Sequence, residues 1–444
     1  MGNVTLLDSQ ALTKVQSIIL ITIIVVAAVG GGVTYVLLSG EEESAETIRI
    51  GVLTDLDGIN GESVWLGTKL AAEEINSEGG ILGRQLEVIG ADTDFESEGD
   101  LTKVSLALTR LITYEKVDFI IGQAPGESGF VIQDIISEHE KIFLAVLGSL
   151  DNVTQRVIDN YRDYKYFFRV FQMNDTSIGF GMMDSFLLIR EITGFNKIGY
   201  LAEDSMWNKG VRDALDYLLP NVYDFDLVYK GTFPPHDTFD FSSYFAAAEA
   251  AGTEILIPLI IYDGAIPFVK EYHDRQSPMV VYGGALAPVS LEEGWDWTEG
   301  KCEHMTIFAL PVTAGYPLTS KTIPMRDAFI SRWGETPNAG GAAAYDALRF
   351  ILYDALNKAG TTETDEVIEA LEETSIETSL ARNFVFTESH DVMYGEGTND
   401  PNDDNIIATL FQWQNGELIP IYPKKIMEEA GATYTFPDWL GPWD

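Results

Sequence analysis

The chain has 444 residues, 46% of them hydrophobic and 22% charged, a balance that fits a folded protein of two or three domains and excludes a disordered one. Its 69 Asp+Glu against 28 Lys+Arg leave a net charge of −41, a surface that repels phosphate backbones, so nucleic acid is excluded as a partner. Cys302 is the only cysteine, which excludes an intrachain disulfide and a cysteine-built zinc site.

In chain order, the first feature is an uncharged run at 17–38, SIILITIIVVAAVGGGVTYVLL. It has the roughly 20 residues a helix needs to cross a bilayer. Lys14 before it and Glu41, Glu42 and Glu43 after it place the N-terminus in the cytoplasm. A cleavable secretory signal ending in the small residues Ala27, Ala28 and Gly30 is the other reading, and both export the rest of the chain. The expected layout is therefore a short cytoplasmic tail at 1–16, an anchor or signal at 17–38 and an acidic linker at 39–46.

Beyond the linker, β-rich runs alternate with amphipathic helical stretches, the pattern of parallel βαβ units. Runs 48–53, 86–91, 117–121 and 142–147 are expected as strands of one sheet. A helix at 62–77 carries Gly67, Ala71 and Ile75 on one face and is closed by Gly79 and Gly80. A second series lies at 197–202, 227–233, 255–261, 279–282 and 305–310. Each series reads as one doubly wound lobe. A helix at 343–359 stops at Gly360, another spans 365–373, and a hairpin at 405–414 and 417–423 turns at Asn415-Gly416, a dipeptide suited to a type I′ turn.

The chain lacks GxSxG, HExxH, Walker A and a GxGxxG after a strand, and its histidines (139, 236, 273, 304 and 390) have no metal-binding spacing. An enzyme is not expected, nor a cofactor or a metal site. The acidic loop 399–405 lacks the glycine and distal glutamate of an EF-hand and reads as solvated. Asn152 and Asn174 begin glycosylation sequons.

Specific motifs lie at 50–67, IGVLTDLDGINGESVWLG, and 71–84, AAEEINSEGGILGR. With FIIG at 119–122, FFRV at 167–170, KIGYLAED at 197–204, AYDA at 344–347 and QWQNG at 412–416, the chain resembles type I periplasmic binding proteins of the branched-chain amino acid, amide and urea group. The resemblance covers 47–425. It implies an α/β protein of two doubly wound parallel-sheet lobes, 47–172 plus 314–388 and 173–313 plus 389–436, with a tail at 437–444. A three-segment hinge is expected near 171–174, 310–316 and 388–405.

A ligand would lie between the lobes, beyond the carboxyl ends of the strands. The resemblance implies contacts from Asn60 and Trp65, from Gly126, Glu127 and Ser128 after the third strand, and from Gly148 and Ser149 after the fourth. Trp207 stands where the family has a tyrosine, and Tyr262 and Asp263 come after the strand at 255. Amino-acid binders of the family carry a threonine where this chain has Leu150. Their acidic partner for the α-amino group falls near Gly284 and Ala285, leaving Asp263 or Glu127 for that task here.

The implied function is an extracytoplasmic, membrane-tethered binding protein of an ABC-type importer. Its implied solute is small and polar: a branched-chain amino acid, an amide or a urea-like molecule. The implied partners are a permease and an ATPase, with no cofactor. The alternative is a ligand-sensing surface receptor of the same fold that acts through a partner chain.

Overall fold

A computed structural model describes residues 47–95, 99–171, 173–235, 238–261, 264–394 and 408–440. The expected tail, anchor and acidic linker lie outside the described residues. Among the described residues, no helix is long and apolar enough to cross a membrane.

Five strands form the first sheet: β1 (Ile48–Thr54), β2 (Leu86–Asp92), β3 (Phe119–Gln123), β4 (Phe143–Leu147) and β5 (Phe167–Arg169). All pair in parallel, in the order β2-β1-β3-β4-β5. Strands such as FLAVL are apolar at every position because helices cover both faces. β5 has three residues, too short a run to announce itself, although its motif FFRV marks the place.

Helix α1 (Ile59–Ser77) comes after β1, α2 (Leu101–Thr113) after β2, α3 (Ser128–His139) after β3 and α4 (Asp151–Asp159) after β4. The core of this lobe also takes in a later segment: Leu310, Val312, Met325, Ala343, Leu348, Ile351 and Leu352 pack with Ile50, Ile121 and Phe168. The central piece of that segment is one long helix, Ala339–Asp346 continued through a π-helical stretch, Ala347–Leu352, to Tyr353–Ala359. It starts four residues before the expected 343, because the Asn338 side chain accepts the Gly341 N–H and caps it ahead of a glycine pair. Gly67 and Gly341 let it touch α1 backbone to backbone, since a Cβ on Gly67 would lie 2.2 Å from the Gly341 carbonyl oxygen.

The second sheet has seven strands in the order β14-β13-β10-β9-β8-β6-β7. These are β6 (Lys197–Glu203), β7 (Asp226–Phe233), β8 (Ile255–Ile260), β9 (Val280–Leu286), β10 (Thr306–Phe308), β13 (Leu410–Gln414) and β14 (Glu417–Tyr422); a separate ribbon pairs β11 (Ser375–Ile376) with β12 (Phe384–Val385). The expected hairpin joins the second sheet and makes it a mixed one rather than a parallel one. β13 runs antiparallel to β10 and β14 antiparallel to β13, so the sheet is mixed. The turn accounts for the second pairing: two residues can only return the chain antiparallel, and Asn415 and Gly416 have the positive φ of such a turn, 55° and 83°.

β8 shows why this lobe has two cores. Leu256 and Ile260 join one hydrophobic cluster with Phe245 and Phe268, while Ile255, Ile257 and Leu259 join another with Met182 and Phe186. β9 runs on to Leu286, past the expected end at 282. Gly283 and Gly284 read as a stop, but they serve close packing: a Cβ on Gly284 would sit 1.8 Å from the Pro258 carbonyl oxygen. Cys302 is buried in the first of the two clusters, and burial pushes its thiol up to about 12, so it is inert packing.

Candidate functional site

The carboxyl ends of both sheets meet around a cavity of about 260 Å³. From the first sheet come Pro125 and Gly126 after β3, and Leu147, Gly148, Ser149 and Leu150 at the end of β4. From the second come Trp207 after β6, Leu259 and Ile261 at the end of β8, Ala285, Leu286 and Ala287 at the end of β9, and Phe308 of β10. Phe171 and Met173 enter from the segment that passes between the sheets, and Ile178 and Met182 from the helix after it, α5 (Asp175–Thr193). Asn60, Phe95 and Ala339 complete the first lobe's share.

Of the residues expected at the site, Asn60, Gly126, Gly148, Ser149 and Trp207 line this cavity. Gly148 is required there: its φ is +131° and a Cβ would lie 2.3 Å from the Ala124 carbonyl oxygen. Trp207 is fixed by a wholly buried carboxylate. Glu203 accepts a hydrogen bond from Trp207 Nε1 at 3.3 Å and from the Ile261 N–H at 3.2 Å, both on Oε2, so the indole presents its ring rather than its N–H.

Three residues expected at the site, Trp65, Glu127 and Ser128, do not line this cavity. Trp65 packs on the first lobe, where its ring would lie 3.2 Å from a Cβ on Gly90 and Lys69 Nζ sits 5.3 Å from its centroid. Glu127 is exposed at the start of α3 and does not line the cavity. Ser128 is buried and donates its hydroxyl to the Pro125 carbonyl at 2.6 Å, a turn role. Tyr262 and Asp263 lie outside the described residues.

Beside the cavity is a polar junction. Arg169, 1% exposed, ends β5 and donates to the carbonyls of Ser149 at 3.2 Å and of Leu150, and it pairs with Asp391 at 3.3 Å. Asp391 also accepts from Thr154 Oγ1 at 3.1 Å and from Asn174 Nδ2 at 3.0 Å. Asn174 Oδ1 accepts the Ser177 N–H at 2.7 Å and caps α5, so the sequon asparagine has its amide committed within the fold. Asp175, the next residue, accepts from Ser149 Oγ at 2.8 Å. Burial holds the Asp175 carboxyl above its ordinary range and Asp151 adds to this, against the Ser149 hydrogen bond and the charge of Arg169.

A cavity at the strand ends of two sheets, with a clasp where the chain passes between them, is the geometry of a two-lobed solute receptor. The family model for periplasmic binding proteins matches residues 47–395. The chain belongs to that family.

Among relatives, Leu/Ile/Val-binding protein homolog 7 of Brucella suis biovar 1 (strain 1330) is 24% identical over 409 residues, covering 87% of this chain and 94% of that protein. A crystal structure described as a branched-chain amino acid ABC transporter from Silicibacter pomeroyi aligns with a TM-score of 0.73 at 20% identity, over 89% of this chain and 100% of the other. A solute-binding protein of an ABC transporter from R. palustris, solved with benzoate, aligns with a TM-score of 0.66 at 15% identity, over 84% and 95%. The family and the Brucella relative are both described as binding proteins. Among the described residues, no group of three or more His, Cys, Asp and Glu is placed to hold a metal.

Sequence reasoning missed Phe95, Phe171, Met173, Met182 and Phe308 in the lining. The segment 171–174 is an expected crossing, and a crossing that passes between two strand-end surfaces must border whatever lies between them; that signal points to Phe171 and Met173. Nothing local marks the others.

Proposed function

We propose that this periplasmic binding protein captures a small solute between its two lobes by hinge closure and delivers it to the permease and ATPase of an ABC-type importer. The run at 17–38 tethers it to the membrane and the lobes face outward. The observation that carries the reading is the cavity, to which the strand ends of both sheets contribute facing walls. Ligands of open parallel sheets bind at such ends, and closure of one lobe on the other buries them.

The relatives bring two solute chemistries into consideration, branched-chain amino acids and benzoate. The lining favours a solute with a substantial apolar body over a urea-like or amide one, because carbon dominates its surface. The test is small-angle scattering of the full-length chain in detergent, with and without a pool of amino acids and aromatic acids. A fall in radius of gyration on saturation is expected; an unchanged radius with every solute would remove the closure mechanism. Co-purification with a permease is the corresponding check on delivery.

A further inference from the structure

We propose that the solute of this cavity is a hydrophobic molecule, about the size of one ring with a short chain, that carries no ammonium group, so that a free α-amino acid is not its ligand. The proposal rests on the solute-capture reading and names the chemical class for that same site.

The first ground is what the wall lacks. Among the described residues of the lining, none is Asp, Glu, Lys, Arg or His. Its polar side chains already have partners inside the protein: Ser149 Oγ donates to Asp175, Ser290 Oγ donates to the Ala287 carbonyl at 2.7 Å, and Asn60 is engaged as well. Trp207 Nε1 is held by Glu203. Two carboxylates that hold wall residues from behind, Asp175 and Glu203, have hydrogen bonds already made to Ser149 and to Trp207 and Ile261. An ammonium entering here would shed water and, among the described residues of the lining, meet no acceptor of opposite charge, which is strongly unfavourable in an apolar site.

The second ground is what the wall offers. Phe95, Phe171, Trp207 and Phe308 present rings, and Met173 and Met182 present polarisable thioethers that adapt to irregular apolar shapes. A dry apolar cavity of roughly 150 Å³ accepts a benzene molecule. A cavity of about 260 Å³ therefore has room for a ring and a few further carbons.

The test compares molecules that share a skeleton and differ in the head group. Calorimetry on the full-length chain would use 3-phenylpropan-1-ol, 3-phenylpropanoate and L-phenylalanine, and in parallel 4-methylpentan-1-ol, 4-methylpentanoate and L-leucine. In at least one series, the alcohol or the acid is expected to bind about a hundredfold tighter than the amino acid. The alcohol and acid arms identify the head group. The variant Ala285→Asp places a carboxylate in the cavity wall, and it should reduce that preference tenfold or more. An amino acid that binds within tenfold of both its partners, or silence across all six compounds, overturns the proposal. If an amino acid wins and Asp263→Asn abolishes its binding, the ammonium is paired by that residue and the class is wrong. Scattering separates the two claims: closure induced by an amino acid keeps the receptor reading and sinks only the solute class.

Discussion

The cavity and the junction beside it share Ser149 and Leu150, yet they are made of opposite materials. One is a wall of rings, thioethers and aliphatic carbon. The other gathers Arg169, Asp391, Asp175, Asn174 and Thr154 into a buried hydrogen-bonded clasp. Polar bonds are directional and costly to leave unmade, so they suit the place where the angle between two lobes must be defined. Apolar contact is non-directional and grows with buried area, so it suits a surface that must accept a guest and release it. The difference teaches that position along the chain says little about material: adjacent residues serve opposite ends.

The largest way to break this comparison is Arg169→Met, which leaves Asp391 buried without its counter-charge. A loss of about 3–5 kcal/mol of folding stability is expected, measured by urea denaturation, and the double variant Arg169→Met with Asp391→Leu should recover much of it. A single-variant loss below about 1 kcal/mol would mean the clasp is solvated after all. Next is Gly148→Ala, where the positive φ and the contact with the Ala124 carbonyl force the loop to move. It should cost on the order of 1–3 kcal/mol and weaken solute binding at the same time. Trp207→Ala tests the wall itself: affinity for the solute should fall by roughly 10–100-fold, about 1.4–2.8 kcal/mol, with a smaller change in stability.

The smallest effect concerns pH at the clasp. The folded-state pKa of Asp175 is raised, mainly by burial, so the folded protein holds this proton more firmly than the unfolded chain does. Its contribution to stability is therefore present below the ordinary carboxylate range and is lost as pH rises through the raised value. Relative to the wild type, Asp175→Asn should lack that decline. Parallel urea titrations from acid to neutral pH read the difference, and identical pH slopes would show that Asp175 is not desolvated.

Much of the architecture is legible in the sequence because it is written locally. Apolar runs such as ILIPLI, the turn pair Asn415-Gly416 and the capping Gly360 each carry their own signal. The missed parts depend on partners far along the chain. β9 outlives Gly283 and Gly284 because Phe186 lies against the first and Pro258 of β8 against the second, and the second sheet is mixed because the hairpin docks on β10. At the site, residue type in a loop is readable but side-chain direction is not. Ser128 turns to its own backbone, Glu127 to solvent and Trp65 to the first lobe, while Gly126, Gly148 and Trp207 reach the cavity. The apolar character of the wall comes from Phe95, Met182 and Phe308 being brought together, which no window of sequence contains.

The close crossing of α1 with the helix that begins at Ala339 has a consequence for biosynthesis. Gly67 must rest against Gly341, so the first lobe cannot be completed until the ribosome has delivered its closing piece. Strands β6 to β10 of the second lobe are encoded between them and leave the tunnel earlier, but that lobe too waits for its last strands, β13 and β14, which follow the closing helix. Truncation ahead of residue 339 should thus leave nascent chains with both halves incomplete and sensitive to protease, the first without its closing helix and the second without β13 and β14.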